Sequence, residues 1–268
     1  VRQEELAGSL IEAEIGPGAR ACFTTRKPVS VTEGGPYAGF NLALHVGDDS
    51  ARVAQHRDRL ARTLGVTMGL GGRAGIAWMN QVHSIRIAAA AVDTAPTADA
   101  LLLEARCAAS VDPGGGRMLP AAAAVLVADC APLLLAGDGG AVVAAVHAGR
   151  RGLLEGIVPA AVAAMVRAGA SPSGIWAAVG PTICGACYEV GVDLHDAAAR
   201  IEPACAVTTR WNTPGIDLVA GITAQLERSG VQHICDVHRC TYEDPELFSY
   251  RRDGVTGRQA GIVMPVRK

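Results

Sequence analysis

Apolar residues occur along this chain in short, nearly continuous runs, separated by breaks rich in glycine, proline and aspartate. Runs of this length and composition predict buried strands at Ala21–Thr25, Ile76–Met79, Ile85–Ala90, Ala122–Ala128, Leu133–Ala136, Ala141–Val146, Trp176–Val179 and Val231–Cys235. A helical period appears in three places. Asp49-Ser50 caps a helix running to about Leu64, with Val53, Leu60 and Leu64 on its apolar side and Gly65 as its stop. Gly152 to Val166 reads as helical, and Pro159 within it implies a kink or two successive helices. Asp217 caps a third helix through Leu226, ended by Gly230. Strands outnumber long helices, so the class is α+β, a mixed α/β arrangement. The stretch from Asp93 to Pro120, with Pro113-Gly114-Gly115-Gly116 near its end, reads as surface connections inside one domain.

The hydrophobic fraction of 50% supports a large core, and aromatics at 4% mean that small and branched aliphatics must fill it. With 24 basic and 26 acidic residues, the balance argues against a nucleic-acid-binding groove. The longest uncharged run, Ala168 to Tyr188, contains Pro172 and Pro181 and cannot be a membrane span. The first residues, Val1 to Leu6, lack the features of a signal peptide, so a cytoplasmic location with reduced thiols is expected for the 8 cysteines.

The most informative stretch runs from Ala121 to Gly152. Two apolar runs flank Gly137-Asp138-Gly139-Gly140, and Asp-Gly between such runs is a strong hairpin signal. With Asp138-Gly139 as the turn, Cys130 faces His147, their Cβ atoms ~4.5–5.5 Å apart. A four-residue loop from Gly137 to Gly140 keeps the same register. A one-residue slip, or a bulge at the donorless Pro132, would still leave the pair close. Such a pair suits a metal clamp or a thiolate–imidazole couple. Either residue alone would more often be ordinary core or a hydrogen-bonded histidine. Asp129 and the run His147-Ala148-Gly149-Arg150-Arg151-Gly152 tilt the pair towards function, because polar residues crowd where two apolar strands end.

A catalytic zinc typically takes three protein ligands and one open position. His83, in Asn80-Gln81-Val82-His83-Ser84, is one candidate third ligand; His45, after Asn41-Leu42-Ala43-Leu44, is a close rival, and spacing does not separate them. Cys184-Gly185-Ala186-Cys187 is a weak motif without a thioredoxin-like context, and Cys235, His238 and Cys240 match no common zinc module.

Gln81-Val82-His83, Ala128-Asp129-Cys130-Ala131-Pro132 and His147-Ala148-Gly149-x-Arg151-Gly152 together resemble the signature segments of the laccase-domain family. This is the YfiH-like group, known both as multicopper polyphenol oxidases and as purine nucleoside phosphorylases. The similarity extends through Asn41-Leu42, His45 to Asp49, Val179-Gly180-Pro181, Cys187 to Val190, Cys240-Thr241 and Phe248 to Arg258. It implies a single catalytic domain over 1–268, with a layered α/β/β/α-like fold and mixed sheets. It implies zinc on His83, Cys130 and His147, and so selects His83 over His45. It further implies phosphorolysis of adenosine, inosine and methylthioadenosine, with adenosine deamination, so a nucleoside and phosphate are the expected small-molecule partners. Arg26, Asn41, Gln81 and Arg151 fall on family motif positions and are the substrate-site candidates. Two departures stand out: Arg150 replaces a usual Trp, and Lys27-Pro28 replaces a usual nearby Gly pair.

These residue types suit the chemistry. Zinc lowers the pKa of bound water to ~7, which serves hydrolytic deamination when a carboxylate shuttles protons. Asp129 is the nearest carboxylate in sequence, with Glu155 a second. Guanidinium forks on Arg26, Arg150 and Arg151 match phosphate oxygens, whereas Arg251, Arg252 and Arg258 read as structural. Copper polyphenol oxidation is less favoured: the 7 histidines are scattered, without a His-x-His pair. An amide hydrolase editing peptidoglycan precursors, through a Cys130–His147 pair or zinc, is the remaining alternative.

Overall fold

A computed structural model describes residues 9–27, 34–66, 75–105 and 120–266. The turn expected at Pro113 to Gly116 lies outside the described residues, as do Pro28 and the first residues of the chain.

Two sheets carry the fold. The five-stranded sheet has the order β1 (Leu10–Ala13), β2 (Ala19–Thr24), β13 (Gln259–Pro265), β6 (Ala122–Val127), β3 (Ile76–Ala77). The six-stranded sheet runs β12 (His233–Asp236), β9 (Trp176–Val179), β7 (Ala131–Gly137), β8 (Val142–Ala148), β5 (Ala100–Glu104), β4 (Ile87–Ala89). Both mix parallel with antiparallel pairs: β3–β6, β4–β5 and β9–β12 are parallel. A short hairpin, β10 (Ala206–Thr208) with β11 (Pro214–Ile216), lies apart.

Alternation along the strands produces three apolar seams. Leu134, Ala136, Val143 and Ala145 of the larger sheet meet Ala123, Val125, Val127 and Phe23 of the smaller one. The outer face of the smaller sheet, with Cys22, Ala124 and Ile262, is covered by Phe40 and Leu42 from the preceding segment and by Leu60 of α1 (Ser50–Thr63). The other face of the larger sheet carries Leu133, Leu135, Ala144 and Val146. It packs on α3 (Ile157–Arg167) and α5 (Leu218–Arg228) through Ile157, Ala161, Met165 and Ile222, and Ala198 of α4 (Val192–Ile201) joins the same seam. The expected α/β/β/α layering and mixed sheets are therefore present. Because the strands have both faces buried, their sequences read as continuous apolar runs.

The expected helix starts hold at Asp49, whose side chain accepts from Arg52 N, and at Asp217, which accepts from Ala220 N. The middle helix is indeed two, but the break is elsewhere. α2 (Arg150–Glu155) ends at Gly156, whose φ of 94° reverses the chain; Pro159 sits in the first turn of α3, where its missing N–H costs little.

Two expectations are corrected. The β7–β8 hairpin is connected through Asp138 to Ala141, with Asp138, Gly139 and Gly140 all at positive φ. Its register pairs Gly137 with Val142 and Pro132 with His147, so Cys130 does not face His147 but lies beside Gly149. No bulge forms at Pro132: the His147 N–H turns away to Asp99 O, and the missing proline donor instead coincides with the end of β7–β9 pairing at Leu133. The second correction concerns Asp93 to Pro120. Far from being only surface connections, it contains β5, whose Ala100 and Leu101 are fully buried between β4 and β8.

Candidate metal centre and its cavity

Three backbone routes converge where the two sheets part. His83 follows β3 in the smaller sheet, Cys130 lies on the crossover from β6 to β7, and His147 is near the end of β8. Their ligand atoms all lie within 4.8 Å of one another. Cys130 Sγ is 3.8 Å from His83 Nε2, and the two imidazole rings meet edge-on with centroids 4.7 Å apart. Gly149 makes the approach possible, since a Cβ there would come within 2.9 Å of Cys130 Sγ and 3.0 Å of His83 Cδ2.

The residue that assembles this geometry is Asp99, just before β5 and fully buried. Its carboxylate accepts from His147 Nδ1 at 2.8 Å, from the backbone N–H groups of His83 at 2.9 Å and Ser84 at 2.6 Å, and from Ser84 Oγ at 2.7 Å. Its carbonyl receives the His147 N–H at 2.7 Å. One side chain thus holds both the loop bearing His83, whose φ of 58° is left-handed, and the tautomer of His147. With Nδ1 engaged, His147 is left with Nε2 for a ligand. Sequence reasoning missed Asp99; the available signal was a carboxylate abutting the apolar run Ala100-Leu101-Leu102-Leu103.

The electrostatics are mutual. Burial alone would push the Cys130 thiol up, but the facing imidazoles of His147 and His83 outweigh it and bring it down to about 6. Burial would lower His147, yet the Cys130 thiolate and the Asp99 carboxylate raise it to about 9. Burial would likewise raise Asp99, but hydrogen bonds from His147 and Ser84 hold its carboxyl well below the usual carboxylate range. A half-buried thiolate, two imidazoles and an oriented outer carboxylate form a donor set of the kind zinc takes with one position open.

The triad lies in a cavity of about 570 Å³, large enough for a small organic ligand. His45 lines this cavity too but stands outside the three-ligand group. Gln81 also lines it, and its amide is spent on the Leu126 backbone, donating to the carbonyl at 2.7 Å and accepting the N–H at 2.9 Å. Asp129 is the carboxylate among the lining residues. Its φ is 91°, and its two oxygens accept from Thr241 Oγ1 and from Arg251 N, each at 2.6 Å.

The other substrate candidates suggested by the motifs lie elsewhere. Arg26 donates to Ala38 O and rests on the Phe248 ring. Asn41 is fully buried, joining Asp48 and Ala43 to the Arg258 backbone. Arg151 projects from α2 and pairs with Glu155 at 2.8 Å, leaving both largely exposed. None of the three lines the cavity. Arg251 and Arg258, expected to be structural, do line it, together with Tyr188 and Tyr250. Arg251 lies over Tyr188 and donates to Glu189 O, while Arg258 is held by the Thr256 and Gly257 carbonyls. Arg150, in place of the family's usual Trp, reaches the Tyr188 hydroxyl. Cys235 and His238 do not join Cys240; His238 pairs with Asp236. Among the described residues, no helix is long and apolar enough to cross a membrane.

The chain is similar to known proteins over most of its length. A purine nucleoside phosphorylase of Streptomyces coelicolor, SCO2081, is 45% identical over 228 residues, covering 85% of this chain and 88% of that protein. One from Corynebacterium glutamicum is 44% identical over 245 residues, covering 91% and 93%. The crystal structure of Neisseria meningitidis NMB0706 superposes with a TM-score of 0.79 at 30% identity, covering 97% of this chain and all of that one. The family described as multi-copper polyphenol oxidoreductase laccase matches residues 20–265, a span that takes in every strand after β1 and the His83, Cys130 and His147 cluster. The similarity read from the motifs around His83, Cys130 and His147 is thereby borne out, and the chain belongs to this laccase-domain family.

Proposed function

We propose that this chain is a zinc-dependent purine nucleoside enzyme that phosphorolyses adenosine, inosine and methylthioadenosine and deaminates adenosine. The observation that carries the proposal is the convergence of His83, Cys130 and His147 on the wall of a nucleoside-sized cavity that also holds two arginines and two tyrosines. The names of relatives at 44–45% identity support phosphorolysis, and the donor set supports zinc. A multicopper centre would need more imidazoles than the cavity offers, since His45 is the only further histidine lining it among the described residues.

Zinc held by the three residues supplies Lewis-acid chemistry beside the bound substrate. The remaining work falls to the protein. Arg258 and Arg251 are the cations placed to hold phosphate near the sugar, replacing Arg26 and Arg151 in that role. Tyr188 and Tyr250 offer ring faces and hydroxyls to the purine. Asp129 is the carboxylate to carry a proton; with two lone-pair positions already filled, it can accept through the others without releasing Thr241 or the Arg251 backbone. Gln81 and Asn41 position loops at the cavity rather than touching substrate.

The test is chromatography of adenosine incubated with purified protein, with and without phosphate, beside Cys130→Ala. Phosphate-dependent adenine, or inosine formed without phosphate, should appear and be lost in the variant. Absence of both products in every arm would sink the reading. One observation favours a second reading: Asp99, His147 and Cys130 are ordered as an acid–imidazole–thiolate relay, which suits amide hydrolysis through a Cys130 nucleophile. A covalent Cys130 adduct with an electrophilic amide analogue, formed in zinc-replete protein, would favour it.

A further inference from the structure

Away from the first triad, the loops following the parallel strands β9 and β12 bring together Cys184, Cys187, Cys240 and Glu243. The two contributions are alike: Cys-x-x-Cys from one loop and Cys-x-x-Glu from the other. An isolated parallel bridge between Thr182 and Cys240 sets their alignment. Sequence spacing hides the relation, because more than fifty residues intervene between Cys187 and Cys240. We propose that these three thiols and the Glu243 carboxylate form a second metal site, closed and structural, which takes zinc and fixes one wall of the cavity.

Several features support it. The four ligand atoms lie within 4.8 Å of one another. Tetrahedral zinc with bonds near 2.3 Å places its sulfurs about 3.8 Å apart, so contraction by about an ångström completes the sphere. The Cys184–Cys187 segment already has a tight turn: the N–H groups of Cys187 and Tyr188 both reach Cys184 O at 2.9 Å. Gly185 is needed there, since a Cβ would come within 2.9 Å of Asp217 and 3.0 Å of Val207. The Cys184 N–H points at Cys240 Sγ, 3.4 Å away, and a backbone donor aimed at sulfur favours a thiolate ligand. Three thiolates and a carboxylate around a divalent ion leave a net negative charge. Arg210 offsets it, bonding Glu243 at 2.5 Å while its own N–H docks on Ala186 O.

The site has no open position for substrate, yet its neighbours in sequence face the cavity. Ile183 precedes Cys184, and Tyr188 follows Cys187; both line it. Thr241 follows Cys240 and holds Asp129. Loss of the second ion is therefore expected to weaken substrate binding without touching the first triad.

The test is zinc stoichiometry on the whole chain, reduced and zinc-loaded, compared among wild type, Cys240→Ser, His83→Ala and the double variant. About two ions per chain are expected in the wild type, about one in each single variant and none in the double variant. One ion in the wild type that disappears in His83→Ala and persists in Cys240→Ser would overturn the proposal. One ion that persists in His83→Ala and disappears in Cys240→Ser would uphold it while refuting zinc at the first triad. Should Cys240→Ser fail to fold, cobalt-loaded His83→Ala supplies the decision. A strong thiolate-to-cobalt charge-transfer band, weakened in competition with a chelator when Glu243→Ala is added, supports the site. Absence of the band, or a Cys184–Cys187 disulfide by mass spectrometry in its place, refutes it.

Discussion

Asp99 and His147 share two hydrogen bonds, one through the carboxylate at 2.8 Å and one through the backbone at 2.7 Å. The imidazole is thereby fixed in both position and tautomer by a residue that is not itself one of the three proposed ligands. Asp99→Asn keeps the shape but supplies an amide donor where His147, His83 and Ser84 all present donors. Metal affinity or turnover should fall ~10–100-fold. The unpaired buried groups should also lower stability by about 1–3 kcal/mol. Equilibrium zinc competition and urea unfolding read the two effects separately; unchanged zinc affinity would remove Asp99 from its role.

Gly149 has φ −77°, a conformation open to any residue, so alanine there strains no backbone. The added methyl would still collide with Cys130 and His83. Gly149→Ala should keep the circular dichroism spectrum of the wild type while losing on the order of 100-fold in activity, the scale expected when reacting groups move by about an ångström. Wild-type activity would mean that the ligands do not need to sit this close.

Acid and base should act on the metal-free protein from opposite directions. The folded Cys130 pKa, about 6, lies below the ordinary thiol value of 9.0, so its stabilisation is complete above 9.0 and is lost as pH falls through 6. The folded His147 pKa, about 9, lies above the ordinary 6.5, so its contribution is complete below 6.5 and is lost as pH rises through 9. Between 6.5 and 9 the loss from His147 offsets the gain from Cys130, so thermal midpoints of the metal-free chain should be nearly level there, and iodoacetamide should react with Cys130 with a midpoint near 6. Cys130 reacting only as an ordinary thiol would contradict the paired state.

Arg258 lines the cavity and is braced by two backbone carbonyls, so its guanidinium is presented with little freedom to lose. Arg258→Gln should raise KM for phosphate by ~10-fold or more, with a smaller change in KM for the nucleoside. Arg151→Gln, on the exposed face of α2, should leave both unchanged within about twofold. The reverse ranking in initial-rate measurements would return phosphate binding to Arg151.

Much of the fold was legible because the strands are short, apolar and bounded by turn residues: Trp176–Val179 appears with the bounds its sequence suggests. What failed depended on groups far apart in the chain. Asp138-Gly139 correctly marked a hairpin, yet the loop takes in Ala141 and shifts the register, with Gly140 packed too closely against Gly18 to admit a side chain. Asp99 was hidden because its worth lies in the distant amides of 82–84. The motif arginines misled for the same reason. Arg26 and Arg151 sit beside informative segments but turn to other partners, while Arg251 and Arg258 enter the cavity only through the way the segment 249–258 docks on Asp129 and Asn41.

His83 leaves the smaller sheet, His147 ends a strand of the larger one, and Cys130 spans the step between them. The triad is thus a gauge of alignment between two slabs whose contact is largely apolar, tied at this edge by the hydrogen bonds of Asp99 to His83 and Ser84 on one side and His147 on the other. A slide of one slab over the other separates the ligands while every strand ladder stays intact. On gradual heating, activity should vanish before amide circular dichroism changes, so inactivation would mark slippage rather than melting.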